Sequence, residues 1–207
     1  MKITLTPAQA VALAKSIAPA VSTDPKQKYH LQGVQLRTVE DYATFTATDG
    51  YRMHRITVPH IDSTTGTEFV VVGAQFVSAL LATVKTIGKG DGDIVIEYDL
   101  DGTVEIIGGG TTICITELDT EFPSCSSILD PLPETESGAC YDTTYLADIV
   151  TAAGHISGKK KAGKGLIDDG QLVKIENIHP KKPMHVTAQN VVTGMQFHGV
   201  LMPRRAN

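Results

Sequence analysis

The chain has 207 residues, of which 42% are hydrophobic and only 5% aromatic, with no Trp and a formal net charge of −5 at pH 7. That is enough apolar material for one large domain or one and a half ordinary ones, with a core of Val, Ile, Leu and Ala. The charge argues against a protein that coats nucleic acid indiscriminately, and no apolar run approaches the length of a membrane span.

The first element is a short alternating strand over Lys2–Leu5, which reads as structure rather than as a signal peptide. A helix follows. Thr6 is placed to cap it, Pro7 suits its first position and Gln9 completes a capping box. Its apolar stripe is Ala10, Leu13, Ala14, Ile17 and Val21 at helical spacing. Strands are expected over His30–Val39 and Tyr42–Val58, the second folded into a hairpin at Asp49-Gly50, a dipeptide suited to tight two-residue turns.

The same order then recurs. Glu68–Val72 reads as a strand. A helix after Gly73-Ala74 carries Val77, Leu80, Leu81, Val84 and Ile87 on one face, and strands follow over Ile94–Asp99, Thr103–Ile107 and Thr111–Leu118. A third round begins with a strand at Gly138–Tyr141. Its helix is capped by Asp142 and striped by Leu146, Ile149, Val150, Ala153 and Ile156. Strands over Leu172–Ile178, Met184–Ala188 and Gly194–Met202 complete it. Val77 follows Val11 by 66 positions and Leu146 follows Val77 by 69, so the period is nearly constant. Fixed-period similarity of this kind marks a repeat whose units need neighbours to bury their helix faces.

The expected fold is therefore α+β, with three strand-helix-three-strand units over residues 1–60, 61–131 and 132–207. The first two units make one domain, 1–131, and the third makes half of another. The segment Pro123–Ser137, with three prolines, is the expected linker, and the lysine- and glycine-rich Gly158–Gly165 is an expected mobile loop.

Charge is distributed unevenly over these helices. The chain contains 23 Asp and Glu residues, yet none falls in residues 1–23, 69–90 or 149–167, windows that coincide with the three helix candidates. Opposite the apolar stripes stand Ala8, Ala12, Lys15 and Ser16 on the first helix, Ser78, Ala82, Lys85 and Lys89 on the second, and Ala147, Thr151 and His155 on the third. The third leads into Lys159, Lys160, Lys161 and Lys164. A solvated face ordinarily mixes Glu with Lys. These faces suit either a polyanion that slides past a few lysines or, more plainly, the solvent side of an acidic protein.

Catalytic signals are lacking. Gly108-Gly109-Gly110 has no following Lys-Ser/Thr and lies between strands, so it reads as a turn rather than a phosphate loop. Asp49, before a glycine, is a turn residue before it is a catalytic carboxylate. The three cysteines (Cys114, Cys125, Cys140) and seven scattered histidines lack ligand spacing. Free thiols of a reducing cytoplasm are expected, with no metal and no cofactor.

Four short motifs in order carry a resemblance to a known family. They are Lys28-Tyr29-His30-Leu31-Gln32-Gly33-Val34, then Thr46-Ala47-Thr48-Asp49-Gly50-Tyr51-Arg52-Met53, then Glu121-Phe122-Pro123 with Ile128 and Pro131, and finally Val200-Leu201-Met202-Pro203-Arg204-Arg205. Together they resemble the bacterial DNA polymerase III β sliding clamp, from its middle domain to its terminal strand. The resemblance implies a DNA-clamp fold with helices on the inner face of a ring and antiparallel sheets outside. It implies a non-enzymatic, cytoplasmic processivity factor that encircles duplex DNA as a homo-oligomer, a dimer or a tetramer. DNA polymerase and clamp-loader peptides would bind it. The implied peptide pocket comprises Leu31, Thr48, Gly50, Tyr51, Arg52, Met53, Pro123, Ile128, Val200, Met202, Pro203 and Arg204. The DNA-facing set would be Lys15, Lys85, Lys89, Lys159, Lys160, Lys161 and Lys164. Arg204 stands where the family usually has an apolar residue, so an acidic partner peptide is expected. Three units in place of the family's six suggest a shortened, phage-encoded version. Two other readings are weighed against this one: a clamp mimic that binds clamp-binding peptides or clamp subunits without encircling DNA, and an unrelated α+β enzyme.

Overall fold

The computed structural model describes residues 1–24, 26, 29–39, 41–59, 68–88, 92–99, 101–125, 141–157, 173–176, 182–190 and 192–203. Its first helix begins as the local chemistry dictates. Thr6 Oγ1 accepts from the Gln9 amide while the Gln9 side chain accepts from the Thr6 amide, so two of the helix's orphan donors are satisfied at once. Helix α1 (Pro7–Ile17) buries Ala10, Leu13, Ala14 and Ile17, four of the five residues of the expected stripe; it ends before the fifth, Val21, which is buried beyond it. Helices α2 (Gln75–Ile87) and α3 (Thr143–Ser157) follow at the repeat positions.

Among the described residues there are eleven strands, all paired antiparallel, and their pairing gives the repeat its meaning. Strands β1 (Lys2–Leu5), β6 (Ile94–Tyr98), β7 (Thr103–Gly108) and β8 (Thr111–Thr116) form one sheet in the order β1-β6-β7-β8. Strands β2 (Gly33–Val39), β3 (Tyr42–Thr48), β4 (Arg52–Pro59), β5 (Glu68–Gly73), β9 (Val173–Glu176), β10 (Met184–Gln189) and β11 (Gln196–Leu201) form the other, in the order β5-β2-β3-β4-β11-β10-β9. The first strand of unit one therefore completes the sheet of unit two, with Lys2 opposite Glu97 and Leu5 opposite Ile94. The first strand of unit two completes the sheet of unit one, with Gly33 opposite Gly73. The two units exchange their opening strands. The third unit joins through its last strand, β11, which lies against β4.

Helices α1 and α3 cover one face of the seven-stranded sheet, and α2 covers β7 and β8. One apolar cluster runs through both layers, from Ile3 and Leu5 through Phe45, Phe76 and Ile96 to Phe197 and Leu201. At Gly199 the backbone of β11 comes so close to α3 that a Cβ would lie 2.5 Å from Ile149 Cγ1.

Several expectations need correction. On α2 the fully buried line is Phe76, Ala79, Leu80 and Thr83, one residue around from the expected stripe; Val77, Leu81, Val84 and Ile87 are only partly buried. The helix is wedged between β7, β8 and α1, and Phe76 stacks on Phe45 at 6.1 Å. Thr83 tolerates burial because its hydroxyl donates to Ala79 O. Ser16, expected on the open side of α1, is buried at the contact with α3 and donates to Ala152 O at 2.7 Å. The expected strand His30–Val39 opens instead as a 3-10 turn, Tyr29–Gln32, and becomes strand at Gly33. Tyr141 belongs to no strand; the rest of the expected strand Gly138–Tyr141, most of the expected linker and the basic loop lie outside the described residues.

Candidate peptide-binding site and helix face

The β3–β4 hairpin differs by one residue from its sequence reading. Thr48 pairs with Met53, and the Asp49 amide donates to Arg52 O, which leaves Gly50 and Tyr51 as the central residues. Gly50, with φ of 87°, takes the left-handed position. Asp49 instead closes the turn from outside, its Oδ1 accepting from the amides of Tyr51 and Arg52 at 3.0 Å each. Thr48 Oγ1 donates to Arg52 O at 2.7 Å and accepts from the Gly50 amide at 3.1 Å. The tip is thereby held in one shape by side chains that sequence places beside it.

The tip is also tied to the third unit. The Met202 amide donates to Tyr51 O at 3.1 Å, extending the β4–β11 ladder past the end of the strands. The Arg52 guanidinium bonds Asp49 Oδ2 through Nε at 3.0 Å and Asp148 Oδ2 of α3 through Nη1, and lies 4.7 Å from the centre of the Tyr145 ring. Tyr51 stacks on Tyr145 at 6.0 Å. Arg52 thus spends its charge within the chain, on a carboxylate from each side of the junction.

Strand pleating sorts the junction into two faces. His54, Ile56 and Val58 of β4, with Phe197, Gly199 and Leu201 of β11, point to the helices. His54 is fully enclosed there. Burial lowers its pKa to about 4, and its Nδ1 donates to Ser16 O at 2.6 Å. Met53, Arg55 and Thr57, with Gln196, His198 and Val200, point outward. Met53 and Val200 are directly opposite each other yet only 3% and 1% exposed. They are covered by Phe122 and Cys125 from the segment after β8, which crosses the outer face and makes a second, small apolar cluster.

Of the implied pocket residues that are described, Met53 and Val200 belong to this cluster. They are a covered floor within it, and Tyr51 and Met202, at 56% and 43% exposure, stand at the adjoining hairpin tip. Leu31 lies partly buried behind the tip, its Cδ1 3.8 Å from where a Gly50 Cβ would stand. Pro123 and Pro203 are partly exposed. Ile128 and Arg204 lie outside the described residues. Sequence reasoning missed Cys125, Tyr145 and Asp148. The last two sit in the first turns of α3, and an arginine needing a counter-charge was the one available signal.

On the opposite side, Lys15 and Lys85 are exposed on α1 and α2. Among the exposed residues of the three helices there is no Asp or Glu; Asp148 of α3 is partly buried and paired with Arg52. Lys89, Lys159, Lys160, Lys161 and Lys164 lie outside the described residues. Among the described residues no group of three or more His, Cys, Asp or Glu is placed to hold a metal, and no helix is long and apolar enough to cross a membrane.

The fold and its relatives agree. The structure is similar to a DNA polymerase III beta subunit from Eubacterium rectale, with a TM-score of 0.69 at 13% identity, covering 100% of this chain and 66% of that one. It is similar to the beta subunit from Thermotoga maritima, with a TM-score of 0.68 at 11% identity and the same coverage. A beta sliding clamp from C. crescentus gives a TM-score of 0.67 at 19% identity, covering 100% of this chain and 65% of that one. The chain thus spans just under two thirds of the length of these clamps. No curated protein matches it. At such identities the structures establish the sliding-clamp fold alone. The sequence goes further: residues 4–124, more than half of the chain, match the family described as the DNA polymerase III beta subunit, central domain, and the chain belongs to that family.

Proposed function

We propose that this chain is a non-enzymatic processivity factor that forms a homo-oligomeric ring around duplex DNA and tethers a polymerase through a linear peptide. The observation that carries this reading is the division of charge between the two layers. Among the described residues the helix layer exposes Lys15 and Lys85 amid mostly small and polar side chains, and the acid within its helices, Asp148, is tied to Arg52. Such a surface attracts phosphates without reading bases or gripping them. The sheet layer faces the other way.

Strand β8 offers a route to closure. β4 ends unit one and is paired by β11, whereas β8, which ends unit two, is an edge strand of uncharged residues with Thr112, Cys114 and Thr116 exposed. An uncharged edge of this kind is a template for another strand. Its occupant would be another subunit of the ring. The peptide site is the hairpin tip with Tyr51, Met202, Pro203, Pro123 and Leu31, over the Met53–Val200 floor. Its mixture of rigid Tyr and adaptable Met suits apolar peptide anchors.

The test is topological. The protein, loaded onto a nicked circular plasmid, is expected to stay bound through gel filtration at moderate salt and to be lost when the plasmid is linearised. Equal retention on both forms would mean ordinary binding and no ring. A stable monomer by native mass spectrometry, with peptide binding intact, would favour the clamp mimic instead.

A further inference from the structure

Beyond the apolar floor, on the same outer face, lies a cavity of about 390 Å³ formed by β4, β9, β10 and β11. Arg55, Lys174 and His198 line it together with Thr57, Thr187 and Gln196, and among the described residues no carboxylate does. In a chain of net charge −5 this is an unusual concentration of donors. Arg55 is the central one. Its Nε donates to Thr46 Oγ1 at 3.2 Å; among the described residues its Nη groups have no acceptor and no carboxylate pairs with it. Lys174 meets Glu176 of its own strand, and His198 Nε2 is 2.9 Å from His185 Nδ1.

The cavity adjoins the proposed peptide site through the strand register. Arg55 follows Met53 by two residues on β4, and His198 precedes Val200 by two on β11, with Arg55 opposite His198. Residues two apart on a strand are about 6.6 Å apart on one face. Cys125, which covers Met53, stands near enough to Arg55 for each to influence the other's titration. An extended peptide seated on the open residues Tyr51 and Met202, four residues along their strands from Arg55 and His198, thus reaches the cavity within about four residues.

We infer that this cavity receives a carboxylate side chain of the partner peptide, flanking its apolar anchors, with Arg55 as the principal donor and His198 and Lys174 beside it. The inference rests on the proposed peptide site for its partner and on the cavity for its chemistry. Partial burial favours this pairing, since an arginine held from water without a counter-charge gains more from an incoming anion than a solvated one does. The outer face also points away from the helices, so the anion is not a DNA phosphate of the encircled duplex.

Two measurements test it. The first uses fluorescein-labelled peptides with adjacent Leu and Phe anchors that carry Asp, Asn or Lys about four residues on. Fluorescence anisotropy is expected to rank Asp over Asn by about fivefold and Lys last. Arg55→Gln is expected to erase the ranking while leaving the affinity of the Asn peptide unchanged, and Arg55→Lys to restore part of it. The second titrates the full chain with N-acetylaspartate amide and follows the ring protons of His198 by NMR. Saturable shifts are expected in the wild type and not in Arg55→Gln. If no peptide binds but the His198 shifts saturate, the peptide reading fails and the carboxylate cavity stands. Equal binding of the Asp and Asn peptides, or discrimination that survives Arg55→Gln, overturns the inference, as does a wild-type His198 that ignores N-acetylaspartate amide.

Discussion

Arg52 and Arg55 lie three residues apart on one strand, and their surroundings are opposite. Arg52, at the hairpin tip, is bonded to Asp49 and to Asp148 and covered by Tyr145. Arg55, at the cavity, has a threonine hydroxyl as its one hydrogen-bond partner among the described residues. A cation with two carboxylates fixes the angle between a hairpin and a helix from another unit. A cation with none is a receptor. Two arginines of one strand thus divide into a staple and a site, and net charge alone does not distinguish them.

The largest effect is expected from breaking the platform that both arginines share. Gly199→Val places atoms where Ile149 and Phe197 already stand, and should cost about 3 kcal/mol or prevent folding; thermal unfolding monitored by circular dichroism reads it. A native-like midpoint would show that α3 moves freely over β11.

Acidification strikes the same junction through His54. Its folded pKa of about 4 lies below the ordinary value of 6.5, so the unfolded chain binds the proton first. The stability this residue contributes is intact above pH 6.5 and is lost as pH falls from there to about 4. The loss should approach about 3 kcal/mol, read from urea midpoints at pH 7.5 and 4.5. His54→Gln should flatten the profile; an unchanged slope would place the titrating groups elsewhere, His198 and His185 being the other two whose burial lowers their pKa.

The two arginines then separate. Arg52→Ala strips two carboxylates of their partner and should cost about 2 kcal/mol of stability. Arg55→Gln should change stability by less than about 0.5 kcal/mol, the range of surface substitutions that break no network. Equal costs in urea denaturation would dissolve the distinction between staple and site.

Local chemistry explains what the sequence made legible. The Thr6–Gln9 capping box and the first four residues of the α1 stripe depend on residues three and four apart, and these stand as read; Val21 lies beyond the helix end. The turn at Gly50 was legible to within one residue, because Asp49 can serve a turn from its centre or from its edge. The stripe of α2 was displaced because its burial depends on α1 and on the sheet of β7 and β8, neither of which is adjacent in sequence. The partnership of Arg52 with Asp148 spans 96 residues and leaves no local trace. The covering of Met53 and Val200 by Cys125 is equally non-local. Arg55 was hidden differently: its position two after Met53 is plain in the sequence, but the absence of a counter-charge is a property only of the folded surface.

The exchange of β1 and β5 has a consequence for how the chain reaches its native state. Neither of the first two units can finish its sheet alone, since Leu5 waits for Ile94 and Gly33 waits for Gly73. During synthesis the opening strand has no ladder until almost half of the chain has been made, so folding is governed by non-local closure and is correspondingly slow. Once closed, the same interlock denies the pair any half-unfolded state of low energy. Amides of β1 and β5 should therefore exchange with solvent together, in a single event that dismantles both units at once.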